Sequence, residues 1–309
     1  MSSTIAVLGP GGVGGFVAAA LARAEDDVVV VARESTAQVI ARDGIEVRSV
    51  RLGDFTARPA AVASLEEPPE VLIVATKAGG LRESLARVAA PAGLVVPLLN
   101  GLGHMELLRE HFGPGRVAAG TIRIEADRPS PGVVVHTSPF LRIDLAADDP
   151  ELHPALERLA ARLRAAEIPV HIGPSEAQIM WSKLVRLNAL ACTTSATDRQ
   201  IGFIRSDPEW RAALVACLEE AAAVANADGA RIDPADALGE LDDAHAELGS
   251  SMQRDIAAGR EPELEAIPGS VLRAGARHGL ASPTIERLFT AIAERAGVRP
   301  RPAGAAGAG

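Results

Sequence analysis

Cysteine is scarce in this sequence, and long apolar runs and a basic leader are absent from it. The two cysteines, Cys192 and Cys217, have neither CxxC spacing nor a neighbouring histidine cluster, which argues against a zinc site or a redox pair. We expect both to be buried in a protein of a reducing compartment. No apolar stretch approaches the roughly 20 residues that a membrane span needs, and no signal-like region precedes the first strand. These absences predict a cytoplasmic protein that binds no metal and no membrane.

Positive charge is outnumbered by negative charge. With 31 Lys+Arg against 40 Asp+Glu, the formal net charge is -9 at pH 7, which argues against nucleic acid or an anionic membrane surface as a general partner. An anionic ligand must therefore be held by local groups. The length of 309 residues and the 48% hydrophobic content suffice for a large core, and they favour two domains over one.

Lysine is rare as well. Only two of the 31 basic side chains are lysines, Lys77 and Lys183. Arginine keeps its proton under any protein condition, whereas a lysine ammonium can give its proton away when its surroundings disfavour the charge. A lysine in a sequence that otherwise uses arginine for its basic side chains therefore indicates proton transfer or the need for a compact positive charge. Chance retention of two sites explains the count equally well, so the surroundings of each lysine must decide.

The strongest local pattern lies at the start of the chain. Residues 4–8 read as a buried strand, the sequence GPGGVG follows, and an apolar helix extends to Leu21. In this context the first glycine makes a tight turn, Gly11 lets the backbone approach a pyrophosphate, and Gly14 lets helix and strand pack closely. Alone, such a hexapeptide is weak evidence, because glycine turns are common. Between a strand and a helix it predicts a dinucleotide site at Gly9, Gly11, Gly12, Val13 and Gly14.

Two basic residues follow the next strands of the predicted sheet. The strand at 27–32 is followed by Arg33, where an NAD enzyme usually offers a carboxylate to the ribose, so we expect NADP; Glu34 next to it keeps NAD as an alternative. An ordinary surface arginine is the plain alternative for Arg33. The apolar run 71–76 is typical of a parallel strand covered on both faces, and Lys77 follows at its carboxyl end, where ligands bind.

The rest of the first domain is predicted from further apolar runs. The strand at 94–99 leads to Asn100-Gly101, and the amide of Asn100 suits a group that bridges cofactor and substrate, although Asn-Gly is equally an ordinary turn. Residues 117–124, 133–136 and 141–145 alternate like strands that complete one mixed sheet. A helix at 151–166 and a short strand at 170–172 close the domain.

After residue 173 the pattern becomes helical. From 175 to 296, long apolar-periodic stretches are separated by Gly, Asp and Pro. Lys183 lies in the first of these helices, within a largely apolar run, and such surroundings disfavour its ammonium and ease proton donation. We therefore predict an α/β protein: an N-terminal Rossmann-type dinucleotide-binding domain at 1–173, an all-helical C-terminal domain at 174–297, and a disordered Ala/Gly/Pro-rich tail at 298–309.

With these motifs in view, the sequence resembles the ketopantoate reductase family, the NADP-dependent 2-dehydropantoate 2-reductases. The resemblance extends to about residue 296, and it rests on the order and spacing of several pieces together. These pieces are GPGGVG from Gly9, Arg33 after the second strand, TKA around Lys77, NGLG from Asn100, WSKL around Lys183, and SSMQRDIAAGREPELEAIPG from Ser250.

The resemblance implies roles for particular residues. It implies that Lys183, the lysine of the WxKL motif, is the general acid, and that Glu263, 12 residues after Ser251, is the catalytic-site glutamate. It places Asn100 at the nicotinamide and the substrate, and Ser251 at the substrate carboxylate. Arg33 and Lys77 are implied to hold the 2'-phosphate of NADPH. For Glu263, the plain alternative is a solvated carboxylate beside a helix start.

One departure from the family pattern concerns the substrate. The family's WxKL helix usually carries asparagines four and eight residues after the lysine, and these positions are Leu187 and Ala191 here. Asn188 is offset by one residue, about 100° around an ideal helix, and would reach the substrate only if the helix bulged. Thr194 returns to the face of Lys183 and is a candidate substrate ligand, although a satisfied buried hydroxyl is the stronger interpretation. NADP use is thus better supported than ketopantoate itself.

The implied activity is reduction of a 2-oxo acid by NADPH, most simply of 2-dehydropantoate in pantothenate biosynthesis. Two alternatives stay open: a reductase of the same fold that acts on another 2-oxo acid or carbonyl, and an NADP-sensing protein without turnover. A homodimer also stays open, because helical second domains of this kind often pair, but no heptad or isolated apolar stripe assigns one.

Overall fold

Two compact units make up the chain in the computed structural model, which describes residues 3–299. The first unit contains the chain up to Leu99 together with His104–Ile179, and the second contains Asn100–Gly103 and the chain from Met180 onward. Residues 300–309 of the predicted disordered tail lie outside the described residues. No helix in the described part is long and apolar enough to cross a membrane.

The described residues of the first unit form three sheets. The strands are β1 (Ile5–Leu8), β2 (Val28–Val31), β3 (Ile45–Ser49), β4 (Phe55–Ala57), β5 (Ala60–Val62), β6 (Val71–Val74), β7 (Leu94–Pro97), β8 (Ala119–Arg123), β9 (Ala126–Ser130), β10 (Val133–His136), β11 (Arg142–Ala146) and β12 (Val170–Ile172). The first sheet is parallel with strand order β5-β2-β1-β6-β7. Every residue of β1 and β6 is buried, as expected for strands that are covered on both faces.

The helices of the first unit connect these strands. They are α1 (Gly12–Arg23), α2 (Glu34–Asp43), α3 (Leu81–Leu85), α4 (His104–Phe112) and α5 (His153–Ala165), and short 3-10 turns lie at Ala78–Gly80, Pro114–Arg116 and Pro150–Leu152. Helix α1 lies between two sheets, because it packs on β1 and β2 of the first and on β3, β4, β9 and β10 of the second. Its apolar residues from Phe16 to Leu21 are fully buried there.

The prediction of one mixed sheet for residues 117–124, 133–136 and 141–145 is wrong. Strand β10 belongs to a second sheet of order β4-β3-β10-β9, whereas β8 and β11 form a third sheet of order β12-β11-β8. An isolated bridge pairs Val95 of the edge strand β7 with Val117, two residues before β8 of the third sheet. Alternation along a strand indicates which face is buried, but it does not select the pairing partner.

Among its described residues, the regular elements of the second unit are all helices, and turns and loops connect them. Its helices are the part of α6 (Glu176–Thr197) from Met180 onward, α7 (Ile201–Ser206), α8 (Pro208–Ala227), α9 (Pro234–Asp242), α10 (Ser251–Ala257), α11 (Pro268–Arg277) and α12 (Pro283–Ala296). Helix α8 is central, because it packs on α7, α9, α11 and α12. The predicted fold class, a Rossmann-type α/β domain followed by a helical domain, is therefore confirmed.

Both cysteines lie in the core of the second unit. Cys192 on α6 and Cys217 on α8 are fully buried and unoxidised, which confirms the prediction that they are buried. Hydrogen bonding to Cys217, together with burial, raises the pKa of the Cys192 thiol well above its usual range. This thiol therefore stays protonated and unreactive.

Candidate active site

The turn after β1 has the geometry that the glycine motif predicts. Gly9 adopts a φ of +91°, a left-handed conformation that favours glycine, and a Cβ placed there would lie 2.7 Å from Thr76 Cγ2. At Gly14 a Cβ would lie 2.3 Å from Gly9 O and 2.9 Å from Ala75 Cβ. Gly9 therefore makes the tight turn, and Gly14 lets the start of α1 lie close to the backbone of that turn and to Ala75, the residue after β6.

Gly11 and Gly12 differ in what surrounds them. Nothing lies within 4 Å of a Cβ built on Gly11, so the backbone is open to a ligand at this position. A Cβ on Gly12 would lie 2.1 Å from Ala126 O of β9. Gly12 is thus required by the second sheet, a contact that the glycine motif alone does not reveal.

The N-terminus of α1 is available to an anion. Its N-cap residue is Gly11, which offers no side chain to the first backbone N–H groups of the helix. These groups point out of the helix and carry the positive end of its dipole. The open backbone at Gly11 and the uncapped N–H groups that follow fit the pyrophosphate of a dinucleotide.

Arg33 and Lys77 lie at the same sheet edge as the glycine turn. They follow β2 and β6, and these two strands are the direct neighbours of β1 in the first sheet. Both side chains are exposed. Arg33 Nη2 lies 3.6 Å from Glu83 Oε1 of α3, an ion pair between two side chains that are 74% and 65% exposed. Such a pair is worth little, so it leaves the guanidinium able to turn to a phosphate.

In the second unit, the side chains of Asn100 and Glu263 are in contact, although 163 positions separate them in the sequence. Asn100 Nδ2 donates to Glu263 Oε2 at 2.9 Å, and both side chains are half-buried. Glu263 lies in the loop between α10 and α11. It is thus held by a specific partner rather than solvated beside the helix start.

The residues after Asn100 fix this pairing. Gly101 has a φ of +82°, and a Cβ there would lie 1.9 Å from Ala266 O. The Leu102 N–H then donates to Ser270 Oγ at 3.3 Å. The turn therefore lies directly on the loop that carries Glu263 and on the first turn of α11.

Lys183 is half-buried on α6, and the opposite side of this helix is anchored through Trp181. The Trp181 indole is 1% exposed, and its Nε1 donates to Asp228 Oδ2 at 2.9 Å. His278 Nε2 lies 2.8 Å from Asp228 Oδ1. Although burial opposes it, hydrogen bonding from His278 and Trp181 lowers the pKa of Asp228, so this carboxylate stays charged and holds the indole.

The two serines at the start of α10 have different surroundings. Ser250 Oγ caps the helix by accepting from Gln253 N at 3.1 Å, and it lies 2.9 Å from Thr194 Oγ1. Thr194 Oγ1 also lies 2.6 Å from Leu190 O. The hydroxyl of Thr194 is therefore satisfied inside the protein, as the stronger interpretation of the sequence had it. Ser251 is the first helical residue and is half-buried.

Asn188 would reach the face of Lys183 only if helix α6 bulged, and the helix has no bulge. Helix α6 is continuous from Glu176 to Thr197, without a bulge. Asn188 is fully buried, and its Oδ1 accepts from Cys192 Sγ at 3.5 Å. Its side chain thus faces the interior beside Cys192, and the lysine face carries Leu187 and Ala191 instead.

Sequence reasoning missed the residues that hold the site in place. Asp228, Ser270 and Ala266 take part in it through contacts with residues far away in the sequence, and although Ala266 lies within the piece from Ser250, none of the three was named as a candidate. For Asp228, an acidic residue at the end of a helix, the buried tryptophan of the WSKL piece offered one signal, because a buried indole N–H requires an acceptor.

Comparison with known proteins covers nearly the whole chain. The family model described as ketopantoate reductase PanE/ApbA matches residues 5–147, and the model of its C-terminal part matches residues 177–296. A 2-dehydropantoate 2-reductase of Mycobacterium tuberculosis is 32% identical over 301 residues, which cover 95% of this chain and 98% of the relative.

Solved structures agree in fold. The 2-dehydropantoate 2-reductase from Geobacter metallireducens has a TM-score of 0.86 at 28% identity, and the match covers 94% of this chain and 99% of that one. A D-mandelate dehydrogenase with NADH and anilino(oxo)acetate reaches 0.86 at 18% identity, over 96% and 100% of the two chains. This second likeness is one of fold alone.

Proposed function

The chain belongs to the ketopantoate reductase family and is an oxidoreductase acting on CH–OH groups, and from this premise we propose that it reduces a 2-oxo acid to a 2-hydroxy acid with NADPH. The first substrate to consider is 2-dehydropantoate, which would give the protein a role in pantothenate biosynthesis. We also propose a cytoplasmic location, because two buried cysteines suit a reducing compartment.

The observation that carries this proposal is the hydrogen bond between Asn100 and Glu263. An amide and a carboxylate brought together from distant positions, in the unit that also carries Lys183, supply the groups that a carbonyl reduction needs. These are a donor for the carbonyl oxygen and an anion that orients an ammonium.

The preference for NADPH over NADH is proposed from the charge at the adenosine end. Arg33 and Lys77 follow the strands on either side of β1, and both are exposed. A guanidinium can bind a phosphate through two parallel hydrogen bonds, and the lysine adds a compact positive charge. Glu34, the residue that would favour NAD, instead accepts from Gln38 Nε2 at 2.8 Å on α2.

The chain's residues have separate tasks in the proposed reaction. Bound reduced nicotinamide supplies the hydride. Lys183 donates a proton to the carbonyl oxygen as negative charge develops there, and Asn100 orients that oxygen. Glu263 positions Lys183, and Ser251 binds the substrate carboxylate. Thr194 and Asn188 have no part in the proposal, because the hydroxyl of one is satisfied internally and the amide of the other is buried beside Cys192.

A second candidate function is the reduction of a different 2-oxo acid. It is favoured by Leu187 and Ala191, which put apolar side chains at the two positions of the lysine face where the family pattern has amides. The fold and the proton donor would be the same, and only the substrate's side chain would differ.

Steady-state NADPH oxidation with a panel of 2-oxo acids tests the proposal. We expect turnover of at least one acid, and a preference for NADPH over NADH that falls roughly 10- to 100-fold in Arg33→Gln, the range for hydrogen bonds to a charged group. Nucleotide binding without turnover of any acid would instead identify a sensor. An unchanged nucleotide preference in Arg33→Gln would remove the assignment of the 2'-phosphate.

A further inference from the structure

The face of α6 that carries Lys183 is apolar beyond the lysine. At 3.6 residues per turn, Leu187, Leu190 and Thr194 lie within about 40° of Lys183 around the helix. Leu187 is half-buried, and Leu190 and Thr194 are buried. Leu187 therefore lies one helical turn from Lys183, the proposed proton donor, and part of its surface is accessible.

The hydroxyls near this face are already satisfied. Thr194 Oγ1 has Leu190 O and Ser250 Oγ as partners, at 2.6 Å and 2.9 Å, and Ser250 Oγ also accepts from Gln253 N. A hydroxyl donates once, so these two groups complete each other's hydrogen bonds. A further hydroxyl brought in by a substrate would find no partner in this pair.

The amides offer no partner on the face of Lys183 either, although Asn188 Nδ2 is itself buried without a hydrogen-bond partner among the described residues. Asn188 lies about 140° away from Lys183 around the helix, and its side chain is fully buried with Cys192 as a neighbour. Asn100 Nδ2 donates one of its two protons to Glu263 Oε2, and the other is the one proposed for the carbonyl oxygen. The polar groups identified for the reaction are thus those that serve a carbonyl and a carboxylate.

From this arrangement of apolar and polar groups around Lys183, we infer that the substrate is a 2-oxo acid with a branched, saturated side chain that carries no hydroxyl. In this inference, Leu187 is the residue that selects the substrate. The inference rests on the proposed function, and it narrows the substrate class. 2-Dehydropantoate has a hydroxymethyl group beyond its keto carbon, and burying that hydroxyl against Leu187 without a partner would be unfavourable.

Two compounds separate the alternatives. 3,3-Dimethyl-2-oxobutanoate has a methyl group where 2-dehydropantoate has its hydroxymethyl, and the two acids are otherwise the same. A site built to bind a hydroxyl rejects an analogue that lacks it by roughly 10⁴–10⁵-fold, whereas an apolar site rejects an added hydroxyl by only about 10²-fold. The sign and the size of the preference therefore report which kind of site is present.

The experiment measures kcat/KM for both acids with NADPH. We expect the dimethyl acid to be used roughly 10- to 100-fold better. A ratio of one or below would overturn the inference and leave the proposed function standing. The ratio is taken within one enzyme preparation, so it does not depend on the fraction of active protein.

Substitution of Leu187 tests the residue itself. Leu187→Asn places an amide one turn from Lys183, and we expect the ratio to move about tenfold towards 2-dehydropantoate, the size of one hydrogen bond. Leu187→Ala is the matched control, because it removes the same side chain without adding a donor; it should keep the preference for the dimethyl acid. Equal ratios in the two variants would contradict the role of Leu187.

A binding measurement separates the inference from the proposed function. If neither acid is reduced, thermal shifts with NADP and each of the corresponding 2-hydroxy acids, pantoate and 2-hydroxy-3,3-dimethylbutanoate, still compare the two side chains. Tighter binding of the dimethyl compound would support the inference even without turnover. Tighter binding of pantoate would overturn it, and binding of neither would overturn both proposals.

Discussion

At position 183, arginine and lysine differ in their ability to release a proton. Both carry a positive charge, but only the ammonium can act as a general acid at neutral pH. Lys183 is half-buried, and α6 is held from its other side by the bond between Trp181 and Asp228. We therefore expect a substitution at position 183 to affect the proposed proton transfer, while the bond between Trp181 and Asp228 keeps the helix in place.

We predict that Lys183→Ala lowers kcat by about 10²–10⁴-fold, the usual contribution of a positioned general acid. Lys183→Arg should be nearly as poor, although it keeps the charge. The measurement is kcat with the best acid of the panel at saturating NADPH, and circular dichroism confirms that both variants fold. Full activity of the arginine variant would show that charge alone is required at this position.

The candidate site residues differ in how far the sequence predicts them. Asn100 and Glu263 could be named from motif order, and the structure pairs them. Asn188 and Thr194 could be named as candidates too, but their environments depend on Cys192 and Ser250. Such environments arise from helix packing, and a single sequence does not specify which side chain of α10 meets α6. The candidate residues are therefore easier to predict from a sequence than the neighbouring side chains that satisfy their hydrogen bonds.

At the level of elements, the turn Asn100–Gly103 allows a direct test of what holds Asn100 and Glu263 together. Gly101 lies against Ala266 O with a positive φ, whereas Gly103 has nothing within 4 Å of an added Cβ. The two glycines belong to one turn and differ both in backbone conformation and in surroundings. One of them fixes the loop that carries Glu263, and the other does not.

Gly101→Ala is expected to disturb the pairing of Asn100 with Glu263. The left-handed φ alone costs about 1–3 kcal/mol for a residue with a side chain, and the contact with Ala266 O adds to this cost. We expect a lower thermal midpoint and a kcat lowered at least tenfold, while Gly103→Ala stays close to the unsubstituted protein in both. Equal behaviour of the two variants would show that the turn does not fix the loop.

The glycine turn after β1 also contains two neighbouring glycines, Gly11 and Gly12, whose substitution should have different effects. Gly11→Ala should leave the thermal midpoint almost unchanged, because nothing lies near the added Cβ. It should weaken NADPH binding roughly 10- to 100-fold, the size of hydrogen bonds to a charged ligand. Gly12→Ala should instead destabilise the first unit by about 1–3 kcal/mol, because its Cβ would meet Ala126 O.

Thermal unfolding without nucleotide and a fluorescence titration with NADPH measure these two effects separately. A Gly11→Ala protein that unfolds early but binds NADPH normally would contradict the assignment. So would a Gly12→Ala protein with an unchanged midpoint, because the contact with β9 would then not be required.

Element boundaries were predictable where the sequence contains a strong stop or start signal. Asp207-Pro208 and Asp233-Pro234 begin α8 and α9, and in both helices the aspartate side chain accepts from backbone N–H groups of the first turn. The partition into three sheets was not predictable. It depends on α1 lying between the first and second sheets, a contact that Gly12 and Gly15 allow by leaving room for Ala126 and Val134.

At the scale of the whole molecule, the change from strands to helices after residue 173 was readable because the hydrophobic period changes. The sequence did not reveal the polar groups inside the core. His136 is the clearest of these: it ends β10, it is 1% exposed, and its ring packs edge-on against Phe16 of α1. It connects the second sheet to the helix that carries the glycine turn.

The hydrogen bonds around His136 require a neutral ring. Ser49 Oγ accepts from Arg51 N and Leu52 N, so its own proton goes to His136 Nδ1 at 2.9 Å. Ser138 Oγ donates to Phe140 O and therefore accepts from His136 Nε2 at 3.2 Å. A second proton on the ring would face the Ser49 hydroxyl. Burial lowers the pKa of His136 and the charge of Arg51 adds to this effect, although hydrogen bonding to the backbone of Phe140 and Ser138 and the charge of Glu125 oppose it.

This lowered pKa predicts the direction of one pH effect on stability. In the unfolded chain His136 takes up a proton near its ordinary pKa of about 6.5, whereas in the folded protein it does so only at lower pH. The unfolded state therefore binds more protons in this range, and the stability due to His136 is lost as the pH falls below about 6.5. We expect the thermal midpoint to decrease from pH 7.5 to pH 5.5 more steeply in the unsubstituted protein than in His136→Asn.

Comparing three proteins isolates this contribution, because other groups also titrate in the same range. His136→Asn keeps a polar side chain but cannot take up the proton, and His111→Asn removes an exposed histidine of α4 as the matched control. The pH dependence should flatten more in the first variant than in the second. If all three midpoints decrease in parallel, the buried ring is not what makes the molecule sensitive to acid, and the network of Ser49 and Ser138 must accommodate the charged form.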